Sequence, residues 1–398
     1  MDPKEARLIS LRIDKWCGQA RTGVLTSAHG EVPTPAFMPV GTQSVVKGVS
    51  VEEVLATGAK MQIMNTYHLW IRPGPELVAE FGGLHGFARW PHTIVTDSGG
   101  FQAFSLAKNM RASENGFEFA SHLDGKRMLL TPEEAMRVQG LLGSDIAMQL
   151  DVCPPGGSPR PVLVEAVERT TRWAERCLAA RAPKQGVFGI VQGGTDVELR
   201  LSHIEALAKL PFDGLALGGF SVGEPIPDMY RALAQVAPAL PQDRPRYLMG
   251  VGMPSDILTA VGCGIDMFDC VIPTRNARNG QVFTWGGKIT IKNSRYRDDA
   301  RPLEEDCACG ACRVPYSRAY LRHLYLQSEI LGLSLLSQHN LHFYGRLMAA
   351  ARAAILRGDF AEWSAKNLAL WARSAQTPET DARSAQTPET DARSAQTS

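Results

Sequence analysis

Eight short apolar runs recur through the first 271 residues, each five or six residues long and bounded by polar or turn residues. They lie at 36–40, 61–65, 93–97, 146–151, 187–192, 214–219, 246–251 and 265–270. Their apolar residues are nearly continuous rather than alternating, which is typical of strands buried on both faces of a parallel sheet. The pattern therefore predicts eight parallel strands.

Sequence between most of these runs has helical character. "TPEEAMRVQGLLG" offers Thr131 as an N-cap, Pro132 at the first helical position and Glu134 three residues after the cap. "PVLVEAVERTTRWAERCLAARA", from Pro161, is a long amphipathic run. Strands that alternate with helices predict an α/β fold, and the number eight predicts a closed (β/α)8 TIM barrel.

Polar side chains follow four of the predicted strands at the points where those strands end. They are Asp97, Asp151, Gln192 and Asp269, and glycines accompany them in "DSGG", "VQGG" and "LGG". Asp97 alone reads as an ordinary turn residue, since Asp and Gly are common in turns. In a barrel, however, the C-terminal strand ends meet at one mouth, so four polar strand ends predict a functional site there.

The last run carries two acids, Asp266 and Asp269. Residues three apart in a strand point to opposite faces, so only one of them faces the mouth. Asp269 lies nearer the strand end and is the predicted member of the site.

Two carboxylates in one mouth, without a phosphate-binding loop, favour chemistry at an acetal-like carbon. One acid then acts as the nucleophile and the other moves a proton. Asp151 and Gln192 have the acceptor and donor groups needed to read a heterocycle, and Phe101 is placed to stack on a planar ring. A glycosidase acting on sugars is the alternative that these residues leave open.

Composition and charge limit the other classes of function. The 398 residues carry a formal net charge of +1, which argues against a uniformly basic coat for nucleic acid. A local basic patch still exists between 275 and 301, with a net charge of +5 from Arg275, Arg278, Lys288, Lys292, Arg295, Arg297 and Arg301 against Asp298 and Asp299. We find no secretory signal and no apolar run near the ~20 residues that span a bilayer, so we expect a cytoplasmic protein without a membrane segment.

Three of the eight cysteines lie within "CACGAC", at Cys307, Cys309 and Cys312. Such spacing in a cytoplasmic protein indicates a metal, and three thiolates need a fourth ligand to close a tetrahedral zinc site. The candidates are His323, His339 and His342, of which we choose His339. Four protein ligands predict a structural zinc. The other histidines show no ligand spacing: His29, His68, His85, His92, His122 and His203.

Seven motifs occur in the order found in one known family. They are "DSGGFQ" (97–102), "QLDVC" (149–153), "IVQGG" (190–194), "LGGFSVGEP" (217–225), "YLMGVG" (247–252), "DMFDCVIPTRNARNG" (266–280) and "CACGAC" with "QHN". Over residues 8–371 the chain resembles the bacterial tRNA-guanine transglycosylases. These pentosyltransferases exchange the wobble guanine of tRNAs with a GUN anticodon (those for Asp, Asn, His and Tyr) for 7-aminomethyl-7-deazaguanine, a step toward queuosine.

The resemblance implies a role for each matching residue. Asp269 is the expected nucleophile on the ribose, and Asp97 is the general acid and base. The expected base pocket consists of Asp97, Ser98, Gly99, Gly100, Phe101, Asp151, Gln192, Gly219, Phe220 and Met249. The expected RNA contacts are Gly250, Val251, Gly252, Met253, Pro254, Ser255, Asp256, Thr274, Arg275, Asn276, Ala277 and Arg278. One zinc per subunit on Cys307, Cys309, Cys312 and His339, and a homodimer, are implied as well.

One residue fits the bacterial pattern of that family, and one motif departs from it. Val222 stands where queuine-using eukaryotic enzymes have a glycine, and "FSVGEP" replaces the usual "LAVGEP" at Phe220 and Ser221. We expect a barrel over 1–371 that includes a zinc subdomain at about 274–345. Beyond it, "ARSAQTPETD" repeats from 372 with a ten-residue period and no apolar stripe, which predicts a disordered tail over 372–398.

Overall fold

A computed structural model describes residues 7–106 and 108–376. Its strands are β1 (Ser10–Cys17), β2 (Ala20–Ser27), β3 (Gly30–Thr34), β4 (Ala36–Met38), β5 (Val40–Gly41), β6 (Met61–Met64), β7 (Thr93–Thr96), β8 (Lys108–Ala112), β9 (Phe117–Ala120), β10 (Arg127–Leu130), β11 (Ile146–Met148), β12 (Gly186–Val191), β13 (Gly214–Leu217), β14 (Arg246–Leu248), β15 (Met267–Asp269), β16 (Gln281–Thr284) and β17 (Gly287–Thr290).

The α-helices surround and extend this framework. They are α1 (Val51–Leu55), α2 (Thr66–Ile71), α3 (Pro75–Glu80), α4 (Gly83–Ala88), α5 (Gly100–Leu106), α6 (Pro132–Leu142), α7 (Arg160–Ala179), α8 (Val197–Ala208), α9 (Ile226–Val236), α10 (Pro254–Gly262), α11 (Ile272–Arg278), α12 (Gly310–Arg313), α13 (Arg318–Leu326), α14 (Ile330–Arg357) and α15 (Phe360–Gln376). Short 3₁₀ turns lie at Ala237–Ala239 and Ser294–Tyr296. The predicted N-cap of α6 is confirmed, since the Thr131 side chain accepts from the backbone N–H of Glu134.

The central sheet is a barrel of parallel strands. Its order is β4-β15-β14-β13-β12-β11-β7-β6-β5, so it starts and ends on two segments separated only by Pro39. Proline has no N–H to give to a ladder and interrupts the strand, while its carbonyl still accepts from Ile63 N. With β4 and β5 counted as one interrupted strand, the predicted eight-stranded α/β barrel is confirmed.

Burial on both faces explains why these strands read as unbroken apolar runs. Ile63, Met148, Ile190 and Met267 belong to a cluster inside the barrel. A larger cluster, which includes Trp173 and Phe212, packs helices against the outside of the sheet. The helices therefore leave the C-terminal strand ends as the place where polar side chains gather.

A three-stranded antiparallel sheet, β1-β2-β3, precedes the barrel and was not predicted. This sheet contributes Leu25 and Val32 to the apolar cluster of the barrel interior, together with Ile9, which directly precedes β1. Arg21 also donates to both carboxylate oxygens of Asp266, at 2.9 and 2.5 Å, and all of these groups are buried. Asp266 thus belongs to a structural ion pair, away from the mouth.

Two further units extend the loops of the barrel. Strands β8–β10 form a small sheet between β7 and α6. After β15, the β16–β17 hairpin, α12, α13 and the start of α14 share an apolar cluster of their own around Ile291 and Leu336. This cluster coincides with the expected zinc subdomain.

The last helix, α15, continues through Gln376, so the first five residues of the expected tail are helical. Residues 377–398 of that tail lie outside the described residues. In the part of the chain that the structure describes, no helix has the length and apolar character needed to cross a membrane.

Candidate active site

A cavity of about 510 Å³ opens at the C-terminal ends of the barrel strands. The side chains of Asp97, Asp151, Gln192 and Asp269 all line it, so the four polar strand ends meet as predicted. It is also lined by Asn65, His68, Ser98, Phe101, Gln102, Cys153, Gly219, Phe220, Val222, Tyr247, Met249, Gly250 and Arg275, among others.

Asp97 is held in the cavity by four hydrogen-bond donors. Its Oδ1 accepts from the backbone N–H groups of Thr66 at 2.9 Å and Gly99 at 3.1 Å. Its Oδ2 accepts from the side-chain amides of Asn65 at 2.5 Å and Gln102 at 3.3 Å. Burial nevertheless raises the pKa of Asp97 to about 7, and the nearby charge of Asp269 adds to the increase. A carboxyl group with this pKa can both give and take a proton at neutral pH.

Asp269 has a different arrangement. Its Oδ1 accepts from the Tyr247 hydroxyl at 2.5 Å and from Gly250 N at 2.9 Å. Among the described residues, Oδ2 has no hydrogen-bond partner. Burial raises the pKa of Asp269, while the bonds from Tyr247 and Gly250 oppose that increase. The two donors fix one oxygen and leave the other available for attack on a substrate.

Asp151 and Gln192 form a polar edge on another side of the cavity. Gln192 Nε2 donates to Asp151 Oδ2 at 2.6 Å, and the Ser98 hydroxyl is 3.4 Å from Asp151 Oδ1. Burial raises the pKa of Asp151 to about 6, so it is mostly ionised at neutral pH. The Gln192 Oε1 atom is buried without a partner, and buried acceptors normally have one. This edge therefore carries acceptor capacity that the protein itself leaves unused.

The backbone at the end of β13 closes the cavity beside Gln192. Gly219 has φ +66, and a Cβ atom at this position would lie 2.4 Å from Gln192 Oε1, so only glycine fits. Glu224 accepts from the N–H groups of Ser221 and Val222, which fixes the following turn. Phe220 and Val222 thus take defined positions in the cavity wall.

Two apolar side chains also line the cavity. Phe101, which is 49% exposed, and the partly buried Met249 both line the cavity, as the stacking prediction requires. Gly99 and Gly100 are not among the lining residues. Gly99 lies against the backbone of Tyr67 and donates to Asp97, while Gly100 begins α5 beside Leu150. Their contacts position the loop behind Asp97.

The segments expected to contact RNA lie on the rim but differ in exposure. Gly250 and Arg275 are exposed and line the cavity mouth. Met253, Ser255, Asn276 and Arg278 are partly exposed, whereas Val251, Gly252, Pro254, Asp256, Thr274 and Ala277 are buried. The buried members can shape this rim only through the backbone and the packing of α10 and α11.

Sequence reasoning missed several residues that contact the two carboxylates or line the cavity. Asn65 directly follows β6 and was visible as a fifth polar strand end. Gln102 lies within a recognised motif but was given no role. Tyr247 lies inside β14, where an aromatic residue reads as ordinary core. His68 also lines the cavity, whereas the sequence pattern gave no reason to place it there.

The predicted Cys3His cluster is present and buried. Nδ1 of His339 lies 3.7 Å from Cys307 Sγ and 3.5 Å from the sulfurs of Cys309 and Cys312. The edge of a tetrahedron around zinc, with one sulfur and one nitrogen ligand, is about 3.5 Å. His339 Nε2 is 2.9 Å from the Phe283 carbonyl, which orients the ring. The cluster therefore fits a tetrahedral metal ion with no open position.

A second group of metal-binding residue types is different in geometry. His29 Nδ1 and His85 Nε2 lie 2.7 and 3.1 Å from the two carboxylate oxygens of Asp145. The two imidazole rings stack with centroids 3.5 Å apart and an interplanar angle of 18°. Because the rings are stacked, their nitrogens point in nearly parallel directions and each contacts a different oxygen of Asp145. They do not converge on a common point, as ligands of one metal ion would. The group therefore acts as a hydrogen-bonded clasp between the β2–β3 turn and the barrel.

The structure is thus that of a (β/α)8-barrel protein with two buried carboxylates, Asp97 and Asp269, and the polar pair Asp151 and Gln192 in a cavity at the C-terminal strand ends. A family model described as queuine tRNA-ribosyltransferase matches residues 15–373. The chain therefore belongs to the queuine tRNA-ribosyltransferase family and is an enzyme of the pentosyltransferase class.

Individual relatives agree with this assignment. A queuine tRNA-ribosyltransferase of Sorangium cellulosum is 65% identical over 347 residues, which are 87% of this chain and 88% of the relative. Proteins of the same name from Fusobacterium nucleatum and Solidesulfovibrio magneticus are 50% and 52% identical over 362 and 357 residues. Those matches cover 90% and 89% of this chain and 97% and 95% of the two relatives.

Proposed function

We propose that this enzyme exchanges the wobble guanine of tRNAs with a GUN anticodon for 7-aminomethyl-7-deazaguanine. The observation that carries the proposal is the cavity in which Asp97 and Asp269 stand beside the base-reading edge of Asp151 and Gln192. The family and the sequence relatives support the same reaction class. A tRNA substrate also favours a cytoplasmic site of action.

The exchange proceeds in two steps, in which guanine first leaves and the new base is then attached. Oδ2 of Asp269 forms a bond to the ribose C1′ while the bond from C1′ to guanine N9 breaks, and the electron pair leaves with the base. Asp97 gives the departing base a proton. The incoming base returns a proton to Asp97, its N9 attacks C1′, and the Asp269 carboxylate is released. One glycosidic bond replaces another, so no nucleotide triphosphate is needed.

Base recognition uses the polar groups of the cavity. The ionised Asp151 and Gln192 Oε1 accept from N–H groups on the purine edge, and the Gly219 backbone donates to its oxo group. Phe101 and Met249 enclose the ring. Val222 narrows the wall near the position of the 7-substituent, which favours the small aminomethyl group over a bulky cyclopentenediol.

The RNA backbone is held by the rim and its basic patch. Arg275 stands at the cavity mouth, where it can contact a phosphate close to the flipped nucleotide. A base that is taken out of its loop into a pocket needs such backbone contacts to fix its register.

Zinc is the proposed occupant of the Cys3His cluster. When bound, it supplies a structural cross-link between the segment 307–312, which includes α12, and His339 on α14. With all four ligands from the protein, it takes no part in the exchange.

A second copy of the chain is the proposed partner. Large apolar side chains are exposed on α13, on α14 and just before them: Val314, Tyr320, Leu326, Ile330 and Leu331. A surface of this kind on one subdomain is typical of a protein interface. We infer a homodimer that uses this face.

Labelled guanine tests the proposed function. Wild-type enzyme should incorporate it into unmodified tRNA with a GUN anticodon, without added ATP, and Asp269→Ala should incorporate none while keeping its melting temperature. A tRNA in which the wobble guanine is replaced should not react. Absence of incorporation by folded, zinc-loaded wild-type enzyme would refute the proposal.

A further inference from the structure

A buried arginine lies directly beneath the base-reading edge. Arg200, on α8, has no exposed surface and forms no ion pair among the described residues. Burial lowers its pKa to about 9, which leaves the guanidinium charged at neutral pH. A buried charge that forms no ion pair is unfavourable unless hydrogen bonds offset the loss of its hydration.

The guanidinium joins the two strand ends that carry the reading groups. Its Nε donates to Gly194 O at 2.5 Å and its Nη2 to Gly218 O at 2.8 Å. The side chain also stacks on Phe220, with the guanidinium carbon 3.7 Å from the ring centroid. Arg200 therefore links the loop after Gln192 to the turn at Gly219 and Phe220.

One of these contacts has an electronic consequence. The Gly218 carbonyl and the Gly219 N–H belong to the same peptide group. A cationic donor on the carbonyl withdraws electron density, so the N–H becomes a stronger donor. Gly218 and Gly219 both line the cavity, so this peptide group belongs to the wall that a ligand meets.

We infer that Arg200 is a positioning residue that acts on the base through the Gly218–Gly219 peptide. It holds and polarises this peptide against the oxo group of the purine. The oxo group becomes more negative when the C1′–N9 electron pair leaves with the base, so the contact strengthens in the transition state. This inference rests on the proposed function and extends it to leaving-group stabilisation.

Guanine and 2-aminopurine provide the test, because the latter lacks the oxo group. We expect Arg200→Met to raise the KM for guanine about tenfold and to lower kcat about tenfold, with the KM for tRNA unchanged. Its preference in binding guanine over 2-aminopurine should fall about tenfold. Arg200→Lys, which keeps the charge without the planar fork, should show about a threefold loss of that preference.

Arg244→Met is the matched control. Arg244 also donates to two backbone carbonyls, those of Leu210 and Ala208 at 3.1 Å each, but it does not line the cavity. Its loss should lower the melting temperature without changing the preference for guanine. If Arg200→Met does not fold, the inference is tested by Arg200→Lys alone, through its preference for guanine over 2-aminopurine in the binding measurement.

Arg200 variants that fold and keep the wild-type preference and kcat would overturn the inference while wild-type exchange still upholds the proposed function. Wild-type enzyme that neither binds guanine nor exchanges it would instead refute the proposed function itself.

Discussion

Two acids of the same type, Asp97 and Asp269, acquire different properties from their neighbours. Asp97 accepts four hydrogen bonds, two on each oxygen. Asp269 accepts two, both on Oδ1. Despite its donors, burial raises the pKa of Asp97 to about 7, which suits a group that shuttles a proton, while the remaining oxygen of Asp269 suits attack on a substrate. The proposed division of roles rests on these differences in hydrogen bonding and burial.

The ionisation of Asp151 predicts that the KM for guanine depends on pH. Burial raises its pKa in the folded protein to about 6, and in the proposed function the base binds to its ionised form. The KM for guanine should therefore be constant above about pH 7 and rise as the pH falls through 6, approaching tenfold per pH unit. Exchange assays between pH 5 and 8 measure this. Asp151→Asn should have a high KM with no such dependence, and a wild-type KM that is flat to pH 5 would contradict the assignment.

Sequence alone revealed the acids at the strand ends but not all of their partners. Asp97, Asp151, Gln192 and Asp269 stand out because polar residues that end apolar runs are conspicuous. Tyr247 was hidden, since its ring packs inside the barrel while only its hydroxyl reaches Asp269. Which side-chain atoms meet across the barrel depends on register between strands that are distant in sequence.

At the scale of elements, burial decides what can be predicted. The eight barrel strands are buried on both faces and appear as unbroken apolar runs. The β1 strand is mostly exposed, with only partly buried alternate residues, so its pattern gives little signal. The His29–Asp145–His85 clasp was missed because its three residues come from segments that are distant in the sequence, so no local spacing reveals it.

The Cys3His cluster ties the elements after the barrel together. Cys309→Ser should lose the metal and unfold the subdomain around Ile291 and Leu336, because the cluster closes its core. Metal content by atomic absorption and proteolysis of the subdomain measure the two effects. Cys17→Ser, outside the cluster, is the control and should retain one metal per chain. A Cys309→Ser protein that stays folded and fully active without metal would refute a structural role.

At the scale of the whole molecule, the exposed apolar face of α13 and α14 predicts self-association. Ile330 is 79% exposed and lies at the start of α14. The wild-type protein should sediment as a dimer at micromolar concentration, and Ile330→Lys should shift it to monomer because a charge would be buried at the interface. Leu356→Lys, on an exposed position near the far end of α14, is the control. A wild-type monomer at these concentrations would contradict the homodimer.

Capture of the covalent intermediate would identify the nucleophile. Wild-type enzyme is mixed with unmodified tRNA bearing a GUN anticodon, denatured, and analysed by mass spectrometry after nuclease and protease digestion. We expect a ribonucleotide that lacks its base, attached to the peptide containing Asp269 and lost when free guanine is added before denaturation. Asp269→Asn should give no adduct. Efficient exchange with no adduct, or an adduct on Asp97, would contradict the assignment of Asp269 as the nucleophile.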